Sequence, residues 1–336
     1  QFMNEFMDSK KKGNWSNENG FINTDDIQIK LASPKIADKD NKPNKDIKKF
    51  QKIKKIENFN RSNFIDEEKP IHSPFMGTRV LQEKEIDIEK LIFYLDKKAL
   101  FSGQWQIKKN KGQSVEEYNN YLESYANPLL EKWIDIIIDK ELISPKAVYG
   151  YFSCGRKDNS IYLFDNKSNQ KISEFTFPRQ KSGNNLCIAD FYCDLKNNNP
   201  VDVFPMQAVT MGEIASEYSQ ELFKADKYSD YLIFHGLTVQ LAESLAEYVH
   251  SLIRIECGFK IYEPANNREI LAQKYRGARY SFGYPACPKV SDSSIQLSLL
   301  DAKRINLSMD ESEQLHPEQS TTAIISLHSK AKYFSA

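Results

Sequence analysis

Residues 276–288 read Arg-Gly-Ala-Arg-Tyr-Ser-Phe-Gly-Tyr-Pro-Ala-Cys-Pro, and no other stretch restricts the fold of this 336-residue chain as tightly. Pro285 and Pro288 each lack an amide donor and push the residue before them toward extended geometry, so the segment is predicted to be stiff and non-helical. Gly277 and Gly283 permit positive φ or close approach of backbone to a ligand. Arg279 offers a planar fork of donors suited to a carboxylate or phosphate, and Tyr280, Phe282 and Tyr284 offer faces for a cation or a heterocycle. The residues alone leave two readings open. One is a loop that holds a small zwitterionic or nucleoside-like ligand; the other is a Pro-kinked loop whose aromatics fill core and whose arginines are solvated.

Composition excludes several classes of function. Lys plus Arg equals Asp plus Glu at 46 each, which argues against a generic nucleic-acid binder with a dominant positive field. No apolar run reaches the length of a membrane span, and the start, Gln-Phe-Met-Asn-Glu-Phe-Met-Asp, lacks the basic-then-apolar order of a secretory signal. A cytoplasmic protein is expected. The five cysteines at 154, 187, 193, 257 and 287 include no Cys-x-x-Cys pair, so neither a disulfide framework nor a structural zinc site is indicated.

The chain divides unevenly. Residues 1–75 are dominated by Lys, Asn, Asp and Ser, and residues 38–46 are nearly devoid of apolar side chains. Such a stretch buries too little surface to offset its ordering entropy, so much of it is predicted to be a flexible linker. With Gln1 in first place the chain reads as a piece of a longer polypeptide, Phe2, Phe6 and Met7 being the end of a preceding domain's last helix or a boundary without biological meaning. Residues 76–336 carry globular patterning. Apolar residues at Ile88, Leu91, Ile92 and Leu95 predict a helix over 87–96, and a second helix is predicted over 116–140. Strands are predicted over 147–154, 160–164, 172–177, 187–193 and 201–209, with short polar turns that favour antiparallel pairing. One or two long helices follow over 213–255, buried from 228 onward, then a helix over 293–304 and a final strand over 322–327. The order of elements alone supports an α+β fold.

Two motifs suggest other chemistry. Glu247-Tyr-Val-His250 and Glu313-Gln-Leu-His316 both place a carboxylate and an imidazole on one helical face, the spacing of a di-iron carboxylate bundle, with Glu243 one turn before Glu247. The second fails in context, since His316 precedes Pro317, and no metal site is expected. Cys287 has no sign of a helix N-terminus to activate it and reads as structural.

The loop and five further blocks resemble one family. Ala-Val-Tyr-Gly-Tyr-Phe at 147–152, Phe-Pro-Arg-Gln at 177–180, Cys-Ile-Ala-Asp-Phe at 187–191, Leu-Ala-Glu-Ser-Leu-Ala-Glu-Tyr-Val-His at 241–250 and Ala-Lys-Tyr-Phe at 331–334 fall in the order of the activation domain of cobalamin-dependent methionine synthase. The resemblance covers about residues 75–336. It implies an α+β domain with a long twisted antiparallel sheet and surrounding helices, preceded by a linker and by the end of a cobalamin-binding domain. It also implies binding of S-adenosylmethionine and reductive methylation of an inactive cob(II)alamin carried by a neighbouring module, within homocysteine-to-methionine methyl transfer. The implied partners are that module and a flavodoxin-like or equivalent reductase, with neither nucleic acid nor membrane involved. A domain retaining only ligand binding or reductase docking is the alternative.

The resemblance also implies a site. Arg279 corresponds to the arginine that meets the ligand, here assigned to its carboxylate, and Asp96 matches a ligand-contacting aspartate, although Lys97 and Lys98 follow where the familiar bacterial pattern has Trp-Thr. Tyr333 and Phe334 match a terminal aromatic pair, Ser281 and Tyr284 fall at ligand-facing loop positions, and Glu243 matches a glutamate near the sulfonium and the methyl-transfer path, the one candidate catalytic residue. Each has a plainer alternative: a backbone-bonded helix-end carboxylate for Asp96, a solvated or salt-bridged side chain for Glu243, and the last core residues of a strand for Tyr333 and Phe334.

Overall fold

The computed structural model describes residues 60–336. The linker expectations for residues 1–59 therefore lie outside the described residues. Residues 60–75, also assigned to the linker, are packed on the fold. Ile65 is buried in a core cluster, and Phe75 meets the rings of Tyr149 and Tyr151 edge-on at 6.1 and 4.9 Å. Arg61 donates to the backbone oxygens of Asp190 and Tyr192. Ile65, Ile71 and Phe75 give this stretch the apolar anchors that residues 38–46 lack.

The elements run β1 (Gly77–Leu81), α1 (Ile88–Tyr94), α2 (Val115–Tyr121), α3 (Asn127–Asp139), β2 (Lys146–Lys157), β3 (Ser160–Phe164), β4 (Lys171–Thr176), β5 (Asp202–Thr210), α4 (Glu213–Lys224), α5 (Tyr228–Arg254), α6 (Asn267–Leu271), β6 (Ala278–Tyr280), α7 (Asp292–Leu300), β7 (Ser308–Met309), β8 (Leu315–His316) and β9 (Ser320–Ser326). Seven strands form one sheet in the order β4-β3-β2-β5-β9-β6, with β1 also paired to β2. Every pairing is antiparallel. β2 is twelve residues long, so β1 and β3 share one of its edges end to end while β5 takes the other.

The sheet is covered on both faces. Along β2, Ala147, Tyr149 and Tyr151 enter one core with α1, α3 and α5, whereas Val148, Phe152 and Cys154 enter a second core with α7 and the C-terminal segment. That alternation is the period of two, and burial on both sides explains why all nine residues of β5 are buried. Pro205 is tolerated in this central strand because pairing with β9 begins one residue later, at Met206, so no ladder bond is lost on that edge. Gly150 is required where β1 crosses, since a Cβ there would lie 2.5 Å from the Gly77 carbonyl oxygen.

Most predicted elements are present, with three corrections. Residues 187–193 form no strand but a 3-10 turn at Ile188–Phe191. A short, fully buried apolar run carries no period to separate the two, and Asp190 decides the matter by accepting the Cys187 N–H at 3.2 Å while Arg179 grips both its oxygens at 2.6 and 2.8 Å. The helix predicted over 116–140 is two α-helices joined by a π-turn at Leu122–Ala126, with Pro128 in the first turn of α3. The helix predicted over 293–304 breaks at Asp301, which adopts φ 52 between α7 and a 3-10 turn at Ala302–Ile305. The second Glu-x-x-His motif is not helical: Glu313 has φ 61, and His316 lies in β8 with its Nε2 2.7 Å from Asp310. Among the described residues no helix is long and apolar enough to cross a membrane.

Candidate functional site

Three residues of edge strand β6 define one wall. Ala278 and Tyr280 point into the second core, so the period of two sends Arg279 to the opposite face, toward α5. Gly277 makes this possible: it has φ 91, and a Cβ on it would lie 2.4 Å from the Ser326 carbonyl oxygen of β9. Beyond β6 the loop closes on itself. Gly283 donates to the Cys287 carbonyl and Cys287 to the Tyr284 carbonyl, both at 2.9 Å, and the Cys287 thiol lies 2.9 Å from the Ser281 carbonyl oxygen. Burial pushes that thiol up to about 12, in keeping with a structural cysteine. Tyr280, Phe282 and Cys287 fill core as the plainer reading of the loop expects, whereas Arg279 is not solvated but turned onto two glutamates of α5, and Tyr284 is exposed.

The facing wall is a polar stripe on α5. Glu243, Glu247, His250 and Arg254 recur at helical spacing, on a helix that also buries Thr238, Gln240, Ser244 and Ser251 among its apolar residues. Arg279 Nη2 donates to Glu247 Oε2 at 3.2 Å, and its Nη1 lies 3.7 Å from Glu243 Oε2. The hydroxyl of Tyr275 donates to the same Glu247 oxygen at 3.1 Å. Behind Glu247, Arg254 is held by Glu263 at 2.5 and 2.9 Å, stacks 3.9 Å beneath the Tyr275 ring, and reaches Glu247 Oε1 at 3.4 Å. Burial opposes ionisation of Glu247, but the guanidinium groups of Arg279 and Arg254 outweigh it and hold the carboxyl down to about 2. His250 is fully buried, and burial together with Arg254 pushes its imidazole down to about 3, so it is neutral.

Between the walls lies a cleft of two adjoining lobes, about 270 and about 200 Å³, that share Glu243, Gln273, Tyr275 and Arg279. The first lobe adds Ser281, Thr321, Tyr284 and Tyr333, the second Tyr94, Asp96, Gln240 and Glu247. The structure thus brings six of the seven sequence-derived residues to one cleft. Asp96 also caps the turn after α1, its Oδ1 accepting from the Ala99 N–H at 2.9 Å, so its plainer reading holds alongside its place in the cleft. Ser281 donates to the Thr322 carbonyl at 2.7 Å. Tyr284 and Tyr333 stand edge to face at 6.5 Å, about half exposed. Phe334 is apart from them: it is buried against Phe191 and Tyr280 and lines neither lobe.

Sequence reasoning did not reach Tyr94, Gln273, Tyr275 or Thr321. It singled out Glu247 only for its spacing to His250. The signal for Glu247 was the run of ionisable residues itself, Glu247, His250 and Arg254 at helical spacing on the buried face of one helix; the others carry none.

The donor set suits a zwitterion: a guanidinium for a carboxylate, exposed acids for an ammonium, and two exposed aromatic faces for a cation or a heterocycle. Residues 87–336 match the family model described as vitamin B12 dependent methionine synthase, activation domain. The chain is 39% identical over 273 residues to the methionine synthase of Mycobacterium tuberculosis, covering 78% of this chain and 23% of that protein. It is likewise 39% identical to the methionine synthase of Mycobacterium leprae, covering 22% of it. The chain therefore spans under a quarter of the length of these curated relatives. Its fold matches a crystal structure of the MetH reactivation domain bound to AdoHcy, with a TM-score of 0.69, 24% identity, and 80% and 83% of the two chains covered. With three quarters of its residues matched by that family model, the chain belongs to the activation-domain family of vitamin B12 dependent methionine synthase.

Proposed function

We propose that the cleft between β6 and α5 binds S-adenosylmethionine and presents its methyl group to a cobalamin carried by a neighbouring module of the same polypeptide. The observation that carries this reading is the meeting of Arg279 with Glu243 at the junction of the two lobes. Arg279 receives the ligand carboxylate and Glu243 with Asp96 the ammonium, while Tyr284 and Tyr333 face the sulfonium or the adenine. The relative that binds AdoHcy, which differs from S-adenosylmethionine by the transferred methyl group, supports the ligand class.

In this reading the reduced corrin, when docked, supplies the nucleophile for the methyl group. The residues of this chain bind and orient, so their contribution is positioning. An electron from a flavodoxin-like reductase would restore the reactive corrin, which places the domain in the reactivation of methionine synthase during homocysteine-to-methionine methyl transfer.

Calorimetry of the 336-residue chain with S-adenosylmethionine tests the reading. Saturable one-to-one binding, lost in Arg279→Ala, is expected; absence of binding by the intact chain overturns it. Reductive methylation assayed with an added cobalamin module and reductase then separates an activation domain from one that only binds.

A further inference from the structure

Arg279 is held by two glutamates of different character. Glu243 is about half exposed and 3.7 Å from Nη1, whereas Glu247 is buried and 3.2 Å from Nη2. Glu247 is itself fixed by two further groups, one of them braced from behind. Tyr275 donates to Oε2, Arg254 lies 3.4 Å from Oε1, and Glu263 holds Arg254 from beyond with two hydrogen bonds. Ser251 donates to Glu263 at 2.7 Å and closes the chain of contacts. Every link behind Glu247 is shielded from solvent or doubly bonded, so that side of the guanidinium has one permitted orientation.

We propose that Glu247 is the positioning residue of this site: it fixes the plane of the Arg279 guanidinium, and the exposed Glu243 is the carboxylate that yields Arg279 to an incoming ligand carboxylate. This rests on the ligand reading above and deepens it, since Glu247, buried at the back of the second lobe, acts through Arg279. A guanidinium free to rotate would lose the match of its fork to a planar carboxylate while keeping its charge. Specificity for the α-carboxylate is therefore the property that Glu247 controls.

The test uses the 336-residue chain and two ligands, S-adenosylmethionine and its decarboxylated analogue, which keeps the sulfonium, adenosine and amine. The wild-type chain is expected to prefer S-adenosylmethionine by at least about tenfold, the scale of one charge-assisted contact. Glu247→Gln is expected to erase most of that preference while leaving the analogue's Kd within about threefold. Tyr275→Phe, which removes one hydrogen bond and no charge, is expected to move the preference the same way by roughly two- to threefold, and stands in should Glu247→Gln fail to fold. Equal weakening of both ligands by both variants would make Glu247 merely structural and overturn the proposal, as would an unchanged preference in both. Failure of the wild-type chain to bind either ligand would instead remove the ligand reading itself, and the proposal with it.

Discussion

Arg279 Nη2 lies 3.2 Å from Glu247 Oε2, across the gap between an edge strand and the long helix α5, and this pair marks the floor of the cleft. The glutamate is held ionised down to about 2 although it is buried. A buried carboxylate stays charged only where cations and hydrogen bonds replace water, which here are Arg279, Arg254 and Tyr275.

Arg279→Ala is expected to raise the Kd for S-adenosylmethionine by at least about tenfold, since it removes the fork assigned to the carboxylate. Arg279→Lys keeps the charge but not the bidentate geometry and should fall between the two. Calorimetry resolves the three.

Acid should weaken the fold from near pH 6.5 downward. His250, depressed to about 3 by burial and then Arg254, takes up its proton in the unfolded chain at about 6.5, so stability falls as pH drops between these values. Glu247 contributes fully above about 4.5 and loses that contribution as pH falls toward about 2. Urea unfolding at pH 7 and pH 5 should differ by on the order of 2 kcal/mol from His250 alone. Among the described residues neither ring nitrogen of His250 has a hydrogen-bond partner, Nδ1 lying 3.7 Å from Glu247 Oε1, so His250→Leu should flatten the slope, and an unchanged slope would assign it to other groups.

Gly277→Ala should destabilise the domain by roughly 2–4 kcal/mol, because its φ of 91 and the 2.4 Å approach to the Ser326 carbonyl leave no room for a methyl group. Urea melts of the variant check this; a change below about 0.5 kcal/mol would mean that β6 can shift without cost.

Asp190→Asn should cost about 3–5 kcal/mol. This buried carboxylate takes two hydrogen bonds from Arg179, an ion pair from Arg156 at 3.5 Å and a backbone bond from Ser62 at 3.2 Å; its loss leaves the buried Arg179 uncompensated, while Arg156 keeps Asp194 at 2.7 Å. Ligand affinity at a temperature where the variant is folded should be unchanged, since none of these residues lines the cleft.

The neighbours Tyr333 and Phe334 should separate cleanly. Phe334→Ala removes a ring buried against Phe191 and Tyr280 and should cost about 3 kcal/mol of stability. Tyr333→Ala should leave stability within about 0.5 kcal/mol. Its effect should appear instead as a roughly three- to tenfold weaker Kd for S-adenosylmethionine.

Local chemistry determined much of this protein without help from the fold. Two prolines and two glycines made residues 276–288 a stiff, non-helical segment, and a run of apolar residues at helical spacing made α5, whereas the residues alone left Arg279 open between a ligand fork and a solvated side chain. Ordered motif blocks pointed to the activation-domain family, and with it to Arg279, Asp96, Glu243 and Tyr284. Tertiary structure alone decided the rest. Residues 187–193 became a turn rather than a strand because Arg179 reaches Asp190, a pairing that no local period encodes. Tyr333 and Phe334 took opposite roles because the C-terminal segment is pinned by the Tyr280 hydroxyl donating to the Lys332 carbonyl at 2.9 Å, which turns one ring outward and the next inward. Glu247 became the anchor of Arg279 across 32 positions of sequence. Such contacts depend on which face of a strand meets which turn of a helix, and that is set only when the sheet and α5 are packed together.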